Sequence, residues 1–321
     1  MKRNSQEHIK CNNCGNNNTV VFLDNVTSWE HPGIFRLEKC ITCTLVYVNP
    51  RPTQSEIGKF YPSATYWGDD VRSSGLQDNL LEVRKKSYGY LYRNILGLKK
   101  KGSILDIGAG TGMFLSYFSE LGFQTDGVEF SKDACIYARK TFGIKLKQGD
   151  FLDKKFKRNT YDIITLNNSL EHLYDPLKTL IELHKAMKKG GMIVVTVPNI
   201  ESLAFRLFKS NWYALQPPRH LYHFSEVTLS NIMKKAGFRN IEIKRGYFLH
   251  NYHTLFESIR LTRSEKFKKL PKGGVVSESH VPSVSLKKEV FKLGAIALAF
   301  VLAIFGSVVR RSEVITVIAV K

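Results

Sequence analysis

Residues 103–112 read SILDIGAGTG, an apolar run with one acid that leads into three alternating glycines. Such a run before glycines predicts a buried strand, and residues 113–121 continue with the apolar spacing of an amphipathic helix. Gly108, Gly110 and Gly112 would let the backbone approach a ligand closely at the head of a parallel strand. The segment therefore predicts the first strand, turn and helix of a doubly wound α/β sheet.

Further strand and helix signals follow at the intervals of an alternating α/β fold. The apolar share of 43% and the charged share of 24% indicate a globular chain of about two domains, and exclude a disordered or fibrous one. The predicted elements are the strands Gln124–Val128, Met192–Val197, Asn240–Ile243 and Glu313–Val320, a strand and loop over Tyr161–His172, and the helices Pro176–Lys189 and Ser225–Ala236.

The glycine spacing argues against a dinucleotide site, because the third glycine of that fingerprint would stand three positions after Gly110, where this chain has Met113. The remaining pattern is Asp106-x-Gly-x-Gly-x-Gly, followed by Glu129 after the second strand and Gly149-Asp150-Phe151 after the third. This ordered set resembles class I S-adenosylmethionine-dependent methyltransferases over residues 103–243 and the last strand.

The resemblance implies a cofactor site at the carboxyl ends of the strands. Glu129 would bind the two ribose hydroxyls, and Asp150 would contact the adenine amine. Carboxylates suit a vicinal diol and a cationic cofactor, whereas a phosphate site would favour basic side chains or helix amides. The predicted cofactor-binding residues are Asp106, Gly108, Gly110, Gly112, Glu129, Asp150, Phe151 and Asn167.

The same resemblance implies the fold class. We expect a Rossmann-like, doubly wound sheet of seven strands in the order 3-2-1-4-5-7-6, with the last strand antiparallel and a small zinc ribbon at the amino terminus. The expected organisation is a zinc ribbon over 1–52, a linker and capping helix over 53–100, a methyltransferase domain over 101–247 with 313–321, and a basic and apolar insertion over 248–312.

Four of the five cysteines form two Cys-x2-Cys pairs separated by 25 residues: Cys11, Cys14, Cys40 and Cys43. The amino terminus lacks the apolar segment of a secretion signal, so we expect a reducing, cytoplasmic compartment. Four thiolates at this spacing then predict a structural zinc ion, with disulfides or unrelated thiols as the alternative. Gly15 suits the first tight turn, and Thr44 fits the second less well.

Methyl transfer requires positioning of the acceptor and, for some acceptors, a base. His172, after the fourth strand, and His220, in the aromatic and proline-rich loop 212–222, are the candidate catalytic residues because histidine can accept a hydroxyl proton near neutral pH. A cofactor-wall role for His172 and a packing role for His220 are the alternatives. In the linker, Tyr61, Tyr66 and Trp67 resemble a segment that covers the cofactor, or form a packed linker.

The acceptor is inferred from resemblance and charge. Methyltransferases that follow a zinc ribbon resemble enzymes of saccharide and secondary-metabolite pathways, which implies O-methylation of a saccharide, a glycan-lipid or another small metabolite. The net charge of +20 favours anionic partners, so an RNA methyltransferase is an alternative, but the loop 167–170 lacks the Asn-Pro-Pro-Tyr pattern of base N-methylation. A non-catalytic cofactor-binding module is a further alternative.

The insertion before the last strand contains a nearly unbroken apolar run, 293–309, followed by Arg310 and Arg311. A membrane crossing would place the last strand on the wrong side of the bilayer, and both flanks of the run are basic. We therefore expect residues 286–311 to form a helix at an anionic membrane surface or at a subunit contact in a homo-oligomer, with an ordinary core helix as the alternative. The expected protein is cytoplasmic and peripheral to the membrane.

Overall fold

The computed structural model describes residues 5–28, 32–61, 101–245, 248–263 and 286–321. The predicted capping helix, together with Tyr66 and Trp67, lies outside these residues. The strands are β1 (Gln6–Glu7), β2 (Thr19–Thr27), β3 (Ile34–Cys40), β4 (Val46–Val48), β5 (Arg51–Pro52), β6 (Ser103–Ile107), β7 (Gln124–Glu129), β8 (Lys147–Gln148), β9 (Tyr161–Asn167), β10 (Met187–Pro198), β11 (Tyr222–His223), β12 (Arg239–Arg245) and β13 (Val314–Val320). The helices are α1 (Met113–Glu120), α2 (Lys132–Phe142), α3 (Pro176–Ala186), α4 (Leu203–Phe208), α5 (Glu226–Lys235), α6 (Phe248–Arg263) and α7 (Leu286–Val308).

Seven strands form the central sheet, in the order β12-β13-β10-β9-β6-β7-β8. Counted along the chain and from the β8 edge, this is the predicted order 3-2-1-4-5-7-6. The neighbours β6–β7, β6–β9, β7–β8 and β9–β10 run parallel. The predicted Rossmann-like fold is confirmed, and its parallel strands bring their carboxyl ends to one edge, where ligands bind in such folds.

The helix predicted over Pro176–Lys189 is too long, because α3 ends at Ala186 and Met187 already pairs with Tyr161 of β9. The amides of Asn159 and Thr160 bind the carbonyls of the last two helical residues, so those carbonyls leave the helical pattern. Gly190, predicted in a turn, lies in an irregular stretch of β10 with a φ of 71°. Helical spacing of apolar residues could not reveal this early start of the strand.

The chain clusters into two compact units. Unit 1 comprises Met1–Phe60, Val197–Leu229 and Ile243–Thr316. Unit 2 comprises Tyr61–Thr196, Ser230–Glu242 and Val317–Lys321. The predicted domain boundaries at 52, 100, 247 and 312 stay a prediction.

Unit 1 contains a four-stranded sheet in the order β11-β4-β3-β2, with antiparallel neighbours. Its strand β11 comes from a part of the chain far from the cysteine pairs, and Tyr222 pairs with Tyr47 of β4. The Val48 amide donates to the Leu221 carbonyl at 2.9 Å, and the Arg51 guanidinium donates to the Tyr222 hydroxyl at 3.0 Å. The cysteine-bearing segment therefore holds the end of the loop 212–222.

Glu313, directly before β13, connects several segments of unit 1. Its carboxylate accepts hydrogen bonds from the Ala204 amide at 2.9 Å and the Trp212 indole at 3.1 Å. Its own amide donates to Asn251 Oδ1 at 2.9 Å, and its carbonyl accepts from the Asn199 amide at 2.8 Å. Burial raises the pKa of Glu313 to about 7. The end of β10, α4, the loop 212–222 and α6 thus meet at one residue.

Helices α6 and α7 pack together in unit 1. Small residues of α7, Ala295, Ala299 and Ala303, lie in the same buried cluster as Leu255 and Ile259 of α6. Asn251 Nδ2 also donates to Ser307 Oγ at 3.0 Å. Over the residues that the structure describes, no helix has both the length and the apolarity needed to span a bilayer.

Glu313→Ala is expected to lower the free energy of unfolding by about 2–4 kcal/mol, because it leaves two buried N–H donors without an acceptor and opens a cavity. Glu201→Ala is the matched control, since Glu201 is exposed in the same unit, and its effect should stay within about 0.5 kcal/mol. Urea denaturation measures both values. Equal losses in the two variants would contradict the connecting role of Glu313.

The pH dependence offers a second measurement on Glu313. Because its pKa is raised above the unfolded value of about 4.3, the folded state binds more protons than the unfolded state up to about pH 7. Stability of the wild type should therefore fall as pH rises through this window. Glu313→Ala should lack this contribution.

Candidate active site

The glycine turn follows β6 in unit 2. Gly108, Gly110 and Gly112 have φ angles of 73°, 53° and 74°, in the left-handed region that favours glycine. At Gly108, a side-chain carbon would also lie only 2.5 Å from Cβ of Ser169, which comes from the loop after β9. The turn therefore requires glycine for its backbone conformation and for its close packing on a neighbouring loop.

Glu129 ends β7 and binds the glycine turn directly. Its Oε2 accepts from the Gly110 amide at 2.8 Å, and its Oε1 accepts from the Ser131 amide at 2.7 Å. The residue is only 6% exposed, and burial raises the pKa of its carboxyl although these amide bonds oppose the shift. Each carboxylate oxygen keeps further acceptor capacity, so a diol could still bind.

Asp106 lies near the end of β6 and is buried. Its Oδ1 accepts from the Thr165 hydroxyl of β9 at 2.6 Å. Burial raises its pKa to about 7, and the negative charge of Glu129 adds to this effect. A cation bound nearby would therefore favour the ionised form of Asp106.

The other predicted cofactor residues also follow strands of unit 2. Asp150, after β8, accepts from the Leu152 amide at 2.8 Å and so begins a short 3-10 helix. The ring of Phe151 is buried and stacks on Phe156 with centroids 5.0 Å apart. Asn167 is the last residue of β9. All eight predicted positions thus lie at or just beyond the carboxyl ends of β6, β7, β8 and β9, while their individual roles stay predictions.

His172 follows β9 and contacts the linker tyrosine. Its Nδ1 lies 3.0 Å from the Tyr61 hydroxyl, and their rings are 6.2 Å apart. The Tyr61 ring also lies 6.3 Å from Phe130, a phenylalanine that is 52% exposed although it directly follows Glu129. The structure therefore places an aromatic surface beside the predicted ribose-binding residue.

Glu171 is a residue that sequence reasoning missed. It is 1% exposed, neither of its carboxylate oxygens has a hydrogen-bond partner within the described part of the chain, and burial raises its pKa to about 8. Its position beside His172 in the Leu-Glu-His sequence was the only available signal, and that position did not reveal burial. A neutral carboxylic acid at this place can donate a hydrogen bond as well as accept one.

His220, the second candidate base, belongs to unit 1. It is buried, and its Nδ1 lies 2.8 Å from the Ala214 carbonyl oxygen. Because a carbonyl oxygen can only accept, Nδ1 must carry the hydrogen, and Nε2 of the neutral ring then has the lone pair. Its neighbour His223 is fully buried, and burial lowers the pKa of His223 to about 3. His220 therefore has the tautomer of a base, whereas His223 is a neutral packing residue.

The four paired cysteines converge in unit 1. The sulfurs of Cys11 and Cys43 are 3.4 Å apart, those of Cys14 and Cys40 are 3.5 Å apart, and all four lie within 4.8 Å of one another. A tetrahedral zinc ion with Zn–S bonds of about 2.3 Å sets its sulfur ligands about 3.8 Å apart. The cluster therefore fits a four-thiolate zinc site, and among the described cysteines only Cys135 lies outside it.

The two cysteine turns have the same backbone form. The Gly15 amide donates to the Cys11 carbonyl at 2.7 Å, and the Thr44 amide donates to the Cys40 carbonyl at 3.0 Å. Gly15 has a φ of 76° and Thr44 has a φ of 65°. Thr44 thus adopts a left-handed conformation that costs most residues about 1–2 kcal/mol. The second turn forms in spite of this cost, although threonine fits it less well than glycine would.

Comparison with known protein families identifies the family of this chain. Residues 81–243, half of the chain, match the family described as a methyltransferase domain. The chain belongs to this methyltransferase family. With the fold and the acidic residues at the strand ends, it is a class I S-adenosylmethionine-dependent methyltransferase.

One curated relative is a named methyltransferase, and two solved structures share the fold alone. The chain is 28% identical over 220 residues to the ubiquinone biosynthesis O-methyltransferase of Aliivibrio fischeri. The aligned region covers 65% of this chain and 92% of that protein. A SAM-dependent methyltransferase from Archaeoglobus fulgidus shares the fold with a TM-score of 0.50 at 22% identity, over 81% of this chain and 100% of that one. The [4+2]-cyclase SpnF also shares it, with a TM-score of 0.53 at 15% identity, over 85% of this chain and 98% of that one.

The donor set of the methyltransferase fits its cofactor. S-adenosylmethionine carries a sulfonium, an ammonium, a ribose diol and an adenine amine, and the strand ends offer the carboxyl groups of Asp106, Glu129 and Asp150. A carboxylate accepts two hydrogen bonds from a diol and attracts a cation. Glu129 lies against the glycine turn, so a direct hydrogen bond joins the two parts of the predicted site.

Glu129→Ala is expected to raise the Kd for S-adenosylmethionine about tenfold to a hundredfold, because the variant lacks the charge-assisted hydrogen bonds that Glu129 is predicted to make to the ribose. Glu129→Gln should have a smaller effect, since its amide oxygen still accepts one bond. Titration calorimetry measures the affinities, with Glu120→Gln, on exposed helix surface, as the control. Wild-type affinity in Glu129→Ala would show that the ribose assignment is wrong.

Proposed function

We propose that this methyltransferase transfers a methyl group to a hydroxyl oxygen of a saccharide, a glycan-lipid or another small metabolite, and that His220 accepts the hydroxyl proton. The observation that carries this proposal is the 2.8 Å hydrogen bond between His220 Nδ1 and the Ala214 carbonyl. With the hydrogen on Nδ1, Nε2 is the nitrogen of a neutral ring that can accept a proton. The hydrogen bond between His172 and Tyr61 favours an orienting role for His172, because a phenol readily donates to Nδ1.

The reaction divides into binding and proton transfer. When bound, S-adenosylmethionine supplies a methyl group on a positively charged sulfur. The acceptor oxygen would receive that methyl group, the neutral thioether would be the leaving group, and His220 Nε2 would take the proton that the oxygen loses. Glu129 would hold the ribose, and Asp106 would lower the energy of the bound cation. The hydroxyl itself needs no metal ion in this scheme, since one base suffices for it.

Two observations support a small hydroxylated acceptor over RNA. The relative from Aliivibrio fischeri is named as an O-methyltransferase, and the ribbon exposes apolar side chains at Val20, Val21 and Ile34 of its sheet and at Ile41 just after β3. An RNA-binding surface would instead present clustered basic and aromatic residues. Arg36, on the same sheet, is paired with Asp24.

His220→Gln is expected to reduce kcat about a hundredfold or more, because glutamine cannot accept the proton. The Kd for S-adenosylmethionine should stay within about twofold, and the acid limb of the pH–rate profile should disappear. The assay transfers a labelled methyl group to nucleotide-linked sugars, lipid-linked saccharides, a phenolic quinone precursor and RNA. The matched variant is His172→Gln.

Three results would contradict parts of the proposal. Wild-type rates in His220→Gln together with an inactive His172→Gln would make His172 the base. Label found on RNA alone would overturn the acceptor class. Label on nitrogen or carbon of a small acceptor would overturn O-methylation.

We propose further that the four clustered cysteines bind one structural zinc ion. The cluster offers four protein ligands and leaves no coordination position for substrate. Because β4 of the ribbon pairs with β11, the zinc ion would also support the loop that carries His220. Its contribution to activity would be indirect.

Cys14→Ser and Cys40→Ser are expected to lose the stoichiometric zinc that elemental analysis should find in the wild type. Cys135→Ser is the control and should retain it, because Cys135 lies outside the cluster. We expect the zinc-free variants to lose more in kcat than in affinity for S-adenosylmethionine. Full zinc content in both ligand variants would rule out this site.

A further inference from the structure

Helix α7 packs with its small side chains inward and its large apolar side chains outward. Along its described side chains, the buried residues are Ala295, Ala299, Ala303 and Gly306. Seven large apolar residues are each at least 47% exposed: Leu293, Leu298, Phe300, Val301, Ile304, Phe305 and Val308. We call these seven residues the apolar face. An ordinary core helix shows the opposite arrangement.

The orientation of the apolar face is set by contacts on the other side of α7. The three alanines belong to the buried cluster of unit 1, where Leu255 and Ile259 of α6 also lie. Ser307 accepts from Asn251, whose Oδ1 in turn binds the Glu313 amide. Rotation of α7 to bury its large residues would break these contacts.

Large apolar residues that are exposed singly are common, but seven on one helix form a continuous patch typical of a binding surface. The sixteen residues from Leu293 to Val308 span about 24 Å at 1.5 Å per residue. A helix of this kind can lie in the boundary between headgroups and acyl chains, with its apolar face buried in the bilayer.

The charges after α7 indicate the nature of the surface. Arg310 is exposed directly after the helix, and Arg311 follows it. The whole chain carries a net charge of +20. Anionic lipid headgroups complement these charges, whereas a second copy would bring a second basic chain against the two arginines.

Arg310 also occupies a backbone position that normally favours glycine. Its φ is 58°, and the Arg311 amide closes the helix on the Gly306 carbonyl at 2.8 Å. Glycine is the common residue at such a helix end because a side chain there is strained. Replacement of Arg310 by glycine therefore removes a charge while it relieves the backbone.

We propose that the apolar face of α7 binds the surface of an anionic phospholipid bilayer and that Arg310 and Arg311 contact its headgroups. The helix lies along the membrane and does not cross it. This membrane contact would bring the methyltransferase to acceptors that are themselves held in or at the bilayer.

The first test compares binding of the full chain to vesicles of phosphatidylcholine with phosphatidylserine and to vesicles of phosphatidylcholine alone. We expect binding to the anionic vesicles, and at least tenfold weaker binding of the variant that combines Val301→Ser, Ile304→Ser and Phe305→Ser. These side chains are exposed in the free protein, so the variant should fold. Val227→Ser, at a residue that is 60% exposed on α5, is the control and should bind like the wild type.

The second test uses Arg310→Gly, for which the structural and the membrane effects have opposite signs. We expect about fivefold weaker binding to anionic vesicles, as one basic residue near the surface contributes about 1 kcal/mol. Thermal stability should be equal to or above that of the wild type. Lys234→Gln, at an exposed lysine of α5, controls for the general loss of one charge.

Several outcomes would overturn the proposal. Absence of wild-type binding to both kinds of vesicle would do so, and so would wild-type binding by the triple serine variant. Sedimentation equilibrium without lipid could also show a dimer that the triple variant loses while vesicle binding is absent, and the apolar face would then be a contact between two copies. Wild-type vesicle binding by Arg310→Gly would remove the headgroup role of that arginine.

Discussion

Unit 1 depends on hydrogen bonds made by one buried glutamate. Glu313 accepts from Ala204 and Trp212 and is bound through its backbone to Asn199 and Asn251, so parts of the chain that are about a hundred residues apart meet at its position. A buried carboxyl is unfavourable unless its oxygens are satisfied, and here the donors are available only when every segment is in place. Glu313 therefore positions α4, α6 and the loop that carries His220 within unit 1.

A second buried acid organises the cofactor side. Glu129 loses solvation at the end of β7, and two backbone amides offset part of that cost by binding its two oxygens. Because one of these amides is that of Gly110, the acid and the glycine turn hold each other in position. Contacts within the protein that fix a binding residue reduce the ordering that ligand binding requires.

The cysteine ribbon is built into the fold of unit 1 and does not stand alone. Its strand β4 pairs with β11, and Arg51 binds the Tyr222 hydroxyl. These contacts are made at Tyr222 and His223, two and three residues after His220 along the chain. The cysteine cluster, far from the predicted cofactor residues in sequence, is in this way linked to the loop with the candidate base.

The sequence by itself determined the class of fold, the strand order through family resemblance, the cysteine pairs and the placement of the acids after strands, because apolar spacing, glycine turns and ligand spacing are local properties. It placed the end of α3 three residues too late, since strand pairing with β9 competes there with helical spacing. Only the tertiary structure decided the burial of Glu171, the tautomer of His220, the pairing of β4 with β11 and the outward direction of the large residues of α7. Each of these depends on contacts between residues that are distant in the chain, and an apolar run reads the same whichever side of its helix the rest of the protein covers.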